Sequence, residues 1–289
     1  MKYYFASQTN YNKIIPYQQN HDPRNYIIVS KYPIVALLSS IKIRHIPLFI
    51  TNINENIYII EYIKNSLNLF KNSTFLYEIE WTDKVYKEDW NNVAKYEFEI
   101  RSEPEFSNKI KIDNVYNYFK KSKQIKLIKQ HTFMKFINQY IPKQKYTIQS
   151  SEKQYLYHGS PTNINDSYLK PHDDGNSKKP YLYVSCLKTA ALKFAVKGLS
   201  NVVKWGEKRN YIWFLEIIPK LFDSFKKDGY LYYVNHNKFK LRVYPEYISS
   251  KKVPIIKKTL INNIYDEMKQ QPNIIMIKYD KFKQFLKNI

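Results

Sequence analysis

The sequence predicts an α+β protein made of two tandem copies of one small domain, each a mostly antiparallel sheet with a few helices. Three observations carry that expectation. Four blocks recur in the same order along the 289 residues. The blocks are short, rich in Tyr, Ile, Val and Phe, and bounded by Pro, Asn, Asp or Ser turns, which is the signature of strands. Both copies close on a Lys-studded amphipathic segment, Phe133–Ile141 and Tyr279–Ile289.

Taken in order, Tyr3-Tyr4-Phe5-Ala6-Ser7-Gln8-Thr9-Asn10 lies against Tyr155-Leu156-Tyr157-His158-Gly159-Ser160-Pro161-Thr162-Asn163, one residue shorter in the first copy. Asn25–Ser30 then matches Pro180–Ser185, and an Ala-Leu pair follows each six residues later, Ala36-Leu37 and Ala191-Leu192. Ser30 and Ser185 are expected to cap the helices that carry those pairs. Phe75–Ile79 is set against Trp213–Ile217, and Pro104-Glu105-Phe106 against Pro245-Glu246-Tyr247. A longer connection, about 42–74, separates the second and third blocks of the first copy. Residues 113–141 read as one long helical stretch with Val115, Tyr118, Phe119, Ile125, Ile128 and Phe136 on its apolar side. The boundaries that result are a repeat over 1–141, a linker over 142–153 and a repeat over 154–289.

Composition limits the function. The net charge is +22, with 22 basic against 13 acidic residues in 1–150 and 25 against 12 in the rest, so both halves attract polyanions. Of the 47 basic residues 42 are Lys, a point charge poorly suited to reading base edges. The expected partners of that surface are an acidic protein or nucleic acid, and a merely solvated face is the competing reading. The single cysteine, Cys186, excludes a disulfide framework or a thiolate-rich zinc site. Without a long apolar run or a secretory leader, the expectation is an intracellular protein with no membrane span, cytoplasmic in a host cell or carried in a virion. Abundant Lys, Asn, Ile and Tyr point to an AT-rich genome of a virus, phage or parasite.

All five glycines, Gly159, Gly175, Gly198, Gly206 and Gly229, fall in the second copy, which suggests that ligand binding is concentrated there. The motifs agree. Leu156-Tyr157-His158-Gly159-Ser160, then Tyr181-Leu182-Tyr183-Val184-Ser185 with Ala190-Ala191-Leu192-Lys193-Phe194, then Pro245-Glu246-Tyr247-Ile248 resemble, in order, the three motifs of the His-Tyr-Glu class of ADP-ribosyltransferases. That class includes the poly(ADP-ribose) polymerases and diphtheria toxin. The resemblance covers about residues 154–250 and implies an ADP-ribosyltransferase-like fold with NAD as substrate.

It also implies roles. Glu246 would stabilise the oxocarbenium-like ribose formed as nicotinamide departs, as carboxylates do in glycoside hydrolysis. His158 would hold the adenosine ribose, Gly159 and Ser160 would line the nicotinamide site, and Tyr183 and Phe194 would sandwich the ring. The family's small hydroxyl residue has Ala191 at its matching place, with Thr189 the nearest hydroxyl. The run His172-Asp173-Asp174-Gly175-Asn176 would form a loop over the adenosine. In the first copy Ala6 or Ser7 stands where His158 should be and Ile28 opposite Tyr183, so that copy is expected to be inert. Each residue also has a plain reading: a turn histidine, a core tyrosine, a packed phenylalanine, a solvated edge carboxylate. Two functions follow: an ADP-ribosyltransferase or NAD glycohydrolase, or a tandem pseudoenzyme that binds nucleic acid or an assembly. The histidines lack metal-ligand spacing, no phosphate loop or hydrolase elbow is present, and paired basic residues for an RNA 2′-phosphotransferase are not evident.

Overall fold

The computed structural model describes residues 2–18, 25–40, 48–53, 56–80, 85–87, 97–148, 154–172, 180–196 and 204–289. The chain divides into two compact units, Met1–Lys135 and Phe136–Ile289. The first runs β1 (Tyr3–Ser7), β2 (Tyr17–Gln18), β3 (Asn25–Ser30), α1 (Pro33–Ser39), β4 (Leu48–Ile53), β5 (Asn56–Glu61), β6 (Thr74–Ile79), β7 (Val85–Lys87), β8 (Glu97–Ile100), β9 (Phe106–Ile112), α2 (Val115–Lys121) and β10 (Ile125–Ile128), with α3 (Gln130–Asn138) next. Its antiparallel sheet follows the path β7-β8-β3-β1-β6-β9, with β2 paired on β3. A second sheet joins β4, β5 and β10, and β5 and β10 run parallel. Alternation along the strands buries both faces of the main sheet. Tyr3, Phe5, Ile27, Val29, Tyr77, Ile79 and Ile100 form one cluster. Ala6 and Leu76 join Ala36 and Leu37 of α1 and Phe119 of α2 in the other.

The second unit runs β11 (Leu156–Ser160), β12 (Tyr168–Leu169), β13 (Leu182–Ser185), α4 (Lys188–Leu192), β14 (Lys204–Lys208), β15 (Tyr211–Leu215), β16 (Gly229–Val234), β17 (Lys240–Val243), β18 (Glu246–Ser249), β19 (Val253–Pro254), β20 (Lys257–Ile261), α5 (Ile264–Gln270), β21 (Ile274–Ile277) and α6 (Tyr279–Lys287). Its main sheet follows β17-β18-β13-β11-β16-β20, and β14, β15 and β21 form a second sheet with β15 and β21 parallel. The six-strand path and the three-stranded sheet repeat the connectivity of the first unit, whereas β12 and β19 pair with each other in a two-stranded sheet that has no counterpart there.

Details of register and hydrogen bonding recur as well. Tyr4 lies opposite Ser30 and Glu78; Tyr157 lies opposite Ser185 and Tyr233. The Tyr77 hydroxyl accepts from Tyr11 N and donates to Thr9 O, while that of Tyr232 accepts from Ile164 N and donates to Thr162 O. At the end of β5, buried Glu61 accepts from Leu67 N and Gln130 N; at the end of β15, buried Glu216 accepts from Phe222 N and Tyr279 N. Each carboxylate clamps a 3₁₀ turn and the first residue of the unit's last helix. Four residues beyond each glutamate, Asn65 (φ 67°) and Lys220 (φ 60°) take the left-handed conformation.

These registers set the correspondence between the units. His158 takes the place of Phe5, Gly159 of Ala6, Tyr183 of Ile28 and Glu246 of Glu97. The first two sequence blocks therefore pair as expected by strand, with Phe5 and not Ala6 or Ser7 opposite His158. The third and fourth do not. Phe75–Ile79 lies in β6, whose counterpart is β16, whereas Trp213–Leu215 lies in β15, the counterpart of β5. Glu105 precedes β9; the residue facing Ser30 is Glu97, as Glu246 faces Ser185. Buried strands share one apolar vocabulary, so composition matched the wrong pair and only pairing register separates them.

Three further expectations change. Residues 113–141 are α2 and α3 divided by β10, because Ile125 and Leu127 pair in parallel with β5 in place of continuing a helix. Ser30 and Ser185 are not the N-caps, which are Tyr32 and Leu187; each serine hydroxyl accepts the N–H of that cap residue. The described part of the expected linker is strapped to the β14–β15 hairpin. Tyr146 N donates to Arg209 O, Arg209 Nη1 to Pro142 O, and Asn210 Nδ2 to Tyr146 O. Residues 149–153 lie outside the described residues.

Candidate functional site

The three motifs fall on three neighbouring strands, β18, β13 and β11. Between β13 and β11 the ladder holds one paired position, Tyr157–Ser185, whereas β11 makes five pairs with β16 and β13 four with β18. Where that pairing lapses, His158 Nδ1–H donates to the Tyr183 carbonyl at 2.8 Å. Since a carbonyl can only accept, the neutral ring keeps its Nε2 lone pair as an acceptor. Burial is the main cause that pushes the His158 pKa down, the Tyr183 carbonyl opposes it, and His172 adds to the lowering. The imidazole is therefore neutral at physiological pH.

Alternation separates the triad by face. His158 points to the side of Tyr232, with ring centroids 6.2 Å apart, the side where Leu156, Leu182, Val184 and Val234 cluster. Phe5 stands in the same relation to Tyr77, at 5.8 Å, inside the first unit's core. Tyr183 and Glu246 belong to the opposite face, because Ser185 pairs with Glu246 and Tyr183 with Ile248. The three side chains do not converge as a triad; His158 meets Tyr183 through the backbone at the gap between strands.

Tyr183 and Glu246 are brought together by Arg242. Its Nη1 donates to Glu246 Oε1 at 2.7 Å, and its guanidinium lies 5.4 Å from the Tyr183 ring centroid. Register along β17 shifts between Leu241 and Val243, so Arg242 is the extra residue of a bulge. A bulge re-aims its side chain, here across the sheet toward β13. Sequence reasoning missed this residue, although one of only five arginines in a lysine-dominated chain was an available signal.

The remaining candidates disperse. Phe194 is 40% exposed and meets Trp205 edge-on at 6.5 Å, whereas the ring next to Tyr183 is Tyr181 at 6.5 Å. Trp205 was not foreseen. Thr189 is buried, and its Oγ1 accepts from Asn273 Nδ2. Ser160 Oγ closes a local turn with Thr162. Gly159 has a packing role: a Cβ there would collide with the Ala191 carbonyl. Gly206 lies under the Trp213 ring and Gly229 against Ala195, so the described glycines answer to packing and not to a ligand loop. Residues 173–176 of the expected adenosine loop lie outside the described residues; His172 bridges Tyr181.

Beside this face lies Lys193, 5% exposed, with its Nζ 3.9 Å from the Trp205 centroid and 4.5 Å from that of Phe194. Burial lowers its pKa to about 7, the Glu246 carboxylate opposes the fall and Lys204 adds to it. Elsewhere in the unit, a cleft of about 760 Å³ opens among Lys145, Tyr146, Glu207, Arg209 and Tyr244, away from the three motifs' strands except at Tyr244. Among the described residues no group of His, Cys, Asp or Glu is placed to hold a metal, and no helix is long and apolar enough to cross a membrane. Comparison with protein-family models, with curated proteins and with solved structures finds no match to the chain.

Proposed function

We propose that the two units are copies of one ADP-ribosyltransferase-like domain and that the second cleaves NAD, by ADP-ribosyl transfer or by hydrolysis. The observation that carries the reading is the placing of the three motifs on adjoining strands around the lapse between β11 and β13. A dinucleotide would lie on the face that carries Tyr183 and Glu246, and His158, on the other face, would act on it only through its hydrogen bond to the Tyr183 carbonyl. His158 supports the reading because Phe5 fills the same place in the first unit, so packing does not demand a histidine. Tyr183, where the first unit has Ile28, argues in the same way.

In this mechanism the ribose–nicotinamide bond breaks with its electron pair moving to the pyridinium nitrogen. Glu246 stabilises the positive charge left on the ribose, and water or an acceptor attacks that carbon. The test is nicotinamide release from NAD by the full chain, with Glu246→Ala as control. Release that disappears in the variant, with secondary structure unchanged, is the expected result; no release from the wild-type chain at high protein concentration would end the enzymatic reading.

The Arg242–Glu246 ion pair favours a second reading, that of a pseudoenzyme whose carboxylate is occupied. Arg242→Ala separates the two. Nicotinamide release that appears only in this variant would mark a silenced site.

A further inference from the structure

The closing segments of the two units match without a gap, so their surfaces can be compared position by position. Thr74 lies opposite Ile112 as Gly229 lies opposite Ile261, Asn114 and Asn263 cap α2 and α5, and Ile125 and Ile274 open the parallel pairings of β10 and β21. Between 113–135 and 262–284, most residues outside the core differ. Four are the same: the capping asparagine, Tyr116 with Tyr265, Lys120 with Lys269, and Lys129 with Lys278. The Tyr116 ring leans on the first unit's core, but packing does not call for lysines around it. Lys120 and Lys129 converge on that ring, with Nζ 4.9 and 5.4 Å from its centroid. Tyr265 also holds two ammonium groups, Lys269 at 5.3 Å and Lys226 at 5.8 Å. What differs is the acid nearby. Lys226 is paired with Asp223, and Tyr265 is followed by Asp266 and by Glu267, which pairs with Lys188. The first unit has Asn68, Asn117 and Tyr118 at those three places, Asn68 and Asp223 each bonding back to the left-handed residue three before it. Asp113, where the second unit has Asn262, is held by Lys111. Among the described residues neither Lys120 nor Lys129 has a carboxylate partner, and the Tyr116 hydroxyl makes no hydrogen bond.

We propose that the Lys120–Tyr116–Lys129 cluster of the first unit is the chain's principal docking point for the phosphodiester backbone of nucleic acid. Charge complementarity decides the partner. Two ammonium groups gathered on one ring repel each other, and phosphates beside them relieve that repulsion through charge-assisted hydrogen bonds. Cation–π attraction holds both side chains at the ring, so less of their freedom is lost on docking. Ammonium groups are point charges that suit phosphate oxygens, whereas the carboxylates of an acidic protein are met best by arginine forks. No arginine stands in 113–135. That segment carries six lysines against one aspartate, while 262–284 carries four lysines against three carboxylates, so the field is stronger around the first cluster. The second cluster has the same tyrosine and an equal pair of lysines among acids, which makes it an internal control. The site does not depend on the chemistry proposed for the second unit. It gives the unit without the histidine and the tyrosine a task of its own.

The test is fluorescence anisotropy of a random-sequence DNA duplex titrated with the full chain across a salt series. Wild type is compared with the double variant Lys120→Gln, Lys129→Gln and with Lys226→Gln, Lys269→Gln, which removes the same charge from the second unit. Thermal unfolding verifies that both variants fold. The first-unit variant should lose about tenfold or more in affinity at about 100 mM salt, with a log–log salt slope flatter by about 2. The second-unit variant should lose no more than about threefold, because its lysines lie among carboxylates. Equal losses in the two variants would mean that total charge alone is read, and no loss in the first would remove the cluster; either result overturns the proposal. Polyglutamate settles the class of partner. Duplex that stays bound against an equal charge concentration of polyglutamate supports nucleic acid. Displacement at parity, lost in the first-unit variant alone, assigns the cluster to an acidic protein and overturns the proposal.

Discussion

Residue by residue, the first unit acts as an internal control for the second. Where the two agree in residue and in hydrogen bonds, as with Tyr77 and Tyr232 or Glu61 and Glu216, the residue serves the fold; Glu246, matched by Glu97, draws no support for catalysis from this comparison. Where an apolar residue in one unit becomes polar in the other, the polar residue is a candidate for function; His158, Tyr183, Thr189 and Lys193, where the first unit has Phe5, Ile28, Ile34 and Leu38, are such positions. Lys193 gives a prediction of defined sign. Its pKa is about 7 in the fold against an ordinary 10.5, so between those values the unfolded chain binds a proton that the folded chain does not. Burial of Lys193 therefore weakens the fold increasingly as pH falls from 10.5 to 7, and by a constant amount below, up to an upper bound of about 5 kcal/mol. The charged groups facing it, Glu246 from β18 and Lys204 from β14, act in opposite directions. Lys193→Leu should be more stable than wild type, by a margin larger at pH 7 than at pH 9.5 in urea denaturation. A margin equal at both pH values would show that the ammonium is not desolvated.

Among elements, the carboxylate clamps decide whether each unit's second sheet and last helix stay joined. A buried glutamate accepting two backbone N–H groups leaves both donors orphaned when it is removed, and hydrogen bonds to a charged group are worth about 1.5–3 kcal/mol each. Glu61→Ala and Glu216→Ala should each destabilise the chain by about 3 kcal/mol or more, read from thermal unfolding, while Glu105→Ala, outside any clamp, should change little. The β11–α4 contact makes a second demand. Gly159→Ala drives a Cβ into the Ala191 carbonyl and should cost about 1–3 kcal/mol through forced separation of strand and helix. These elements also show how far the sequence could be read. Strand positions 3–7, 25–30 and 182–185 were visible because aromatic and β-branched runs end at polar turns. β10 was hidden inside an apparently continuous apolar period, because Ile125 and Ile128 suit a helix face as well as a parallel strand. The Glu61–Glu216 correspondence escaped because a lone glutamate after an apolar run carries no sign of its burial. His158, Tyr183 and Glu246 were singled out from local motifs, and the structure places them on three adjoining strands but on two faces of the sheet. Arg242 and Lys193 were not singled out, since a bulge and a through-space neighbour leave no mark on local spacing.

For the molecule as a whole, the two units share a connectivity in which six antiparallel strands carry a three-stranded sheet with one parallel pairing, and only the second bears the His-Tyr-Glu pattern. The first unit lacks the histidine and the tyrosine at the matched places but keeps the framework, so its contribution is expected through its surface. Charge is what the two halves hold in common, with a lysine excess in each and a total of +22. A lysine-rich field attracts polyanions by releasing their counterions and discriminates little among sequences, because ammonium groups lack the planar fork that reads guanine. Random-sequence DNA duplexes should therefore bind the full chain with an affinity that falls steeply between about 50 and 200 mM salt and depends little on base sequence. Fluorescence anisotropy measures both quantities in one titration series. A salt-independent affinity would instead mean that the charge is a solvated surface without a polyanion partner, and that the first unit is retained for some contact other than an electrostatic one.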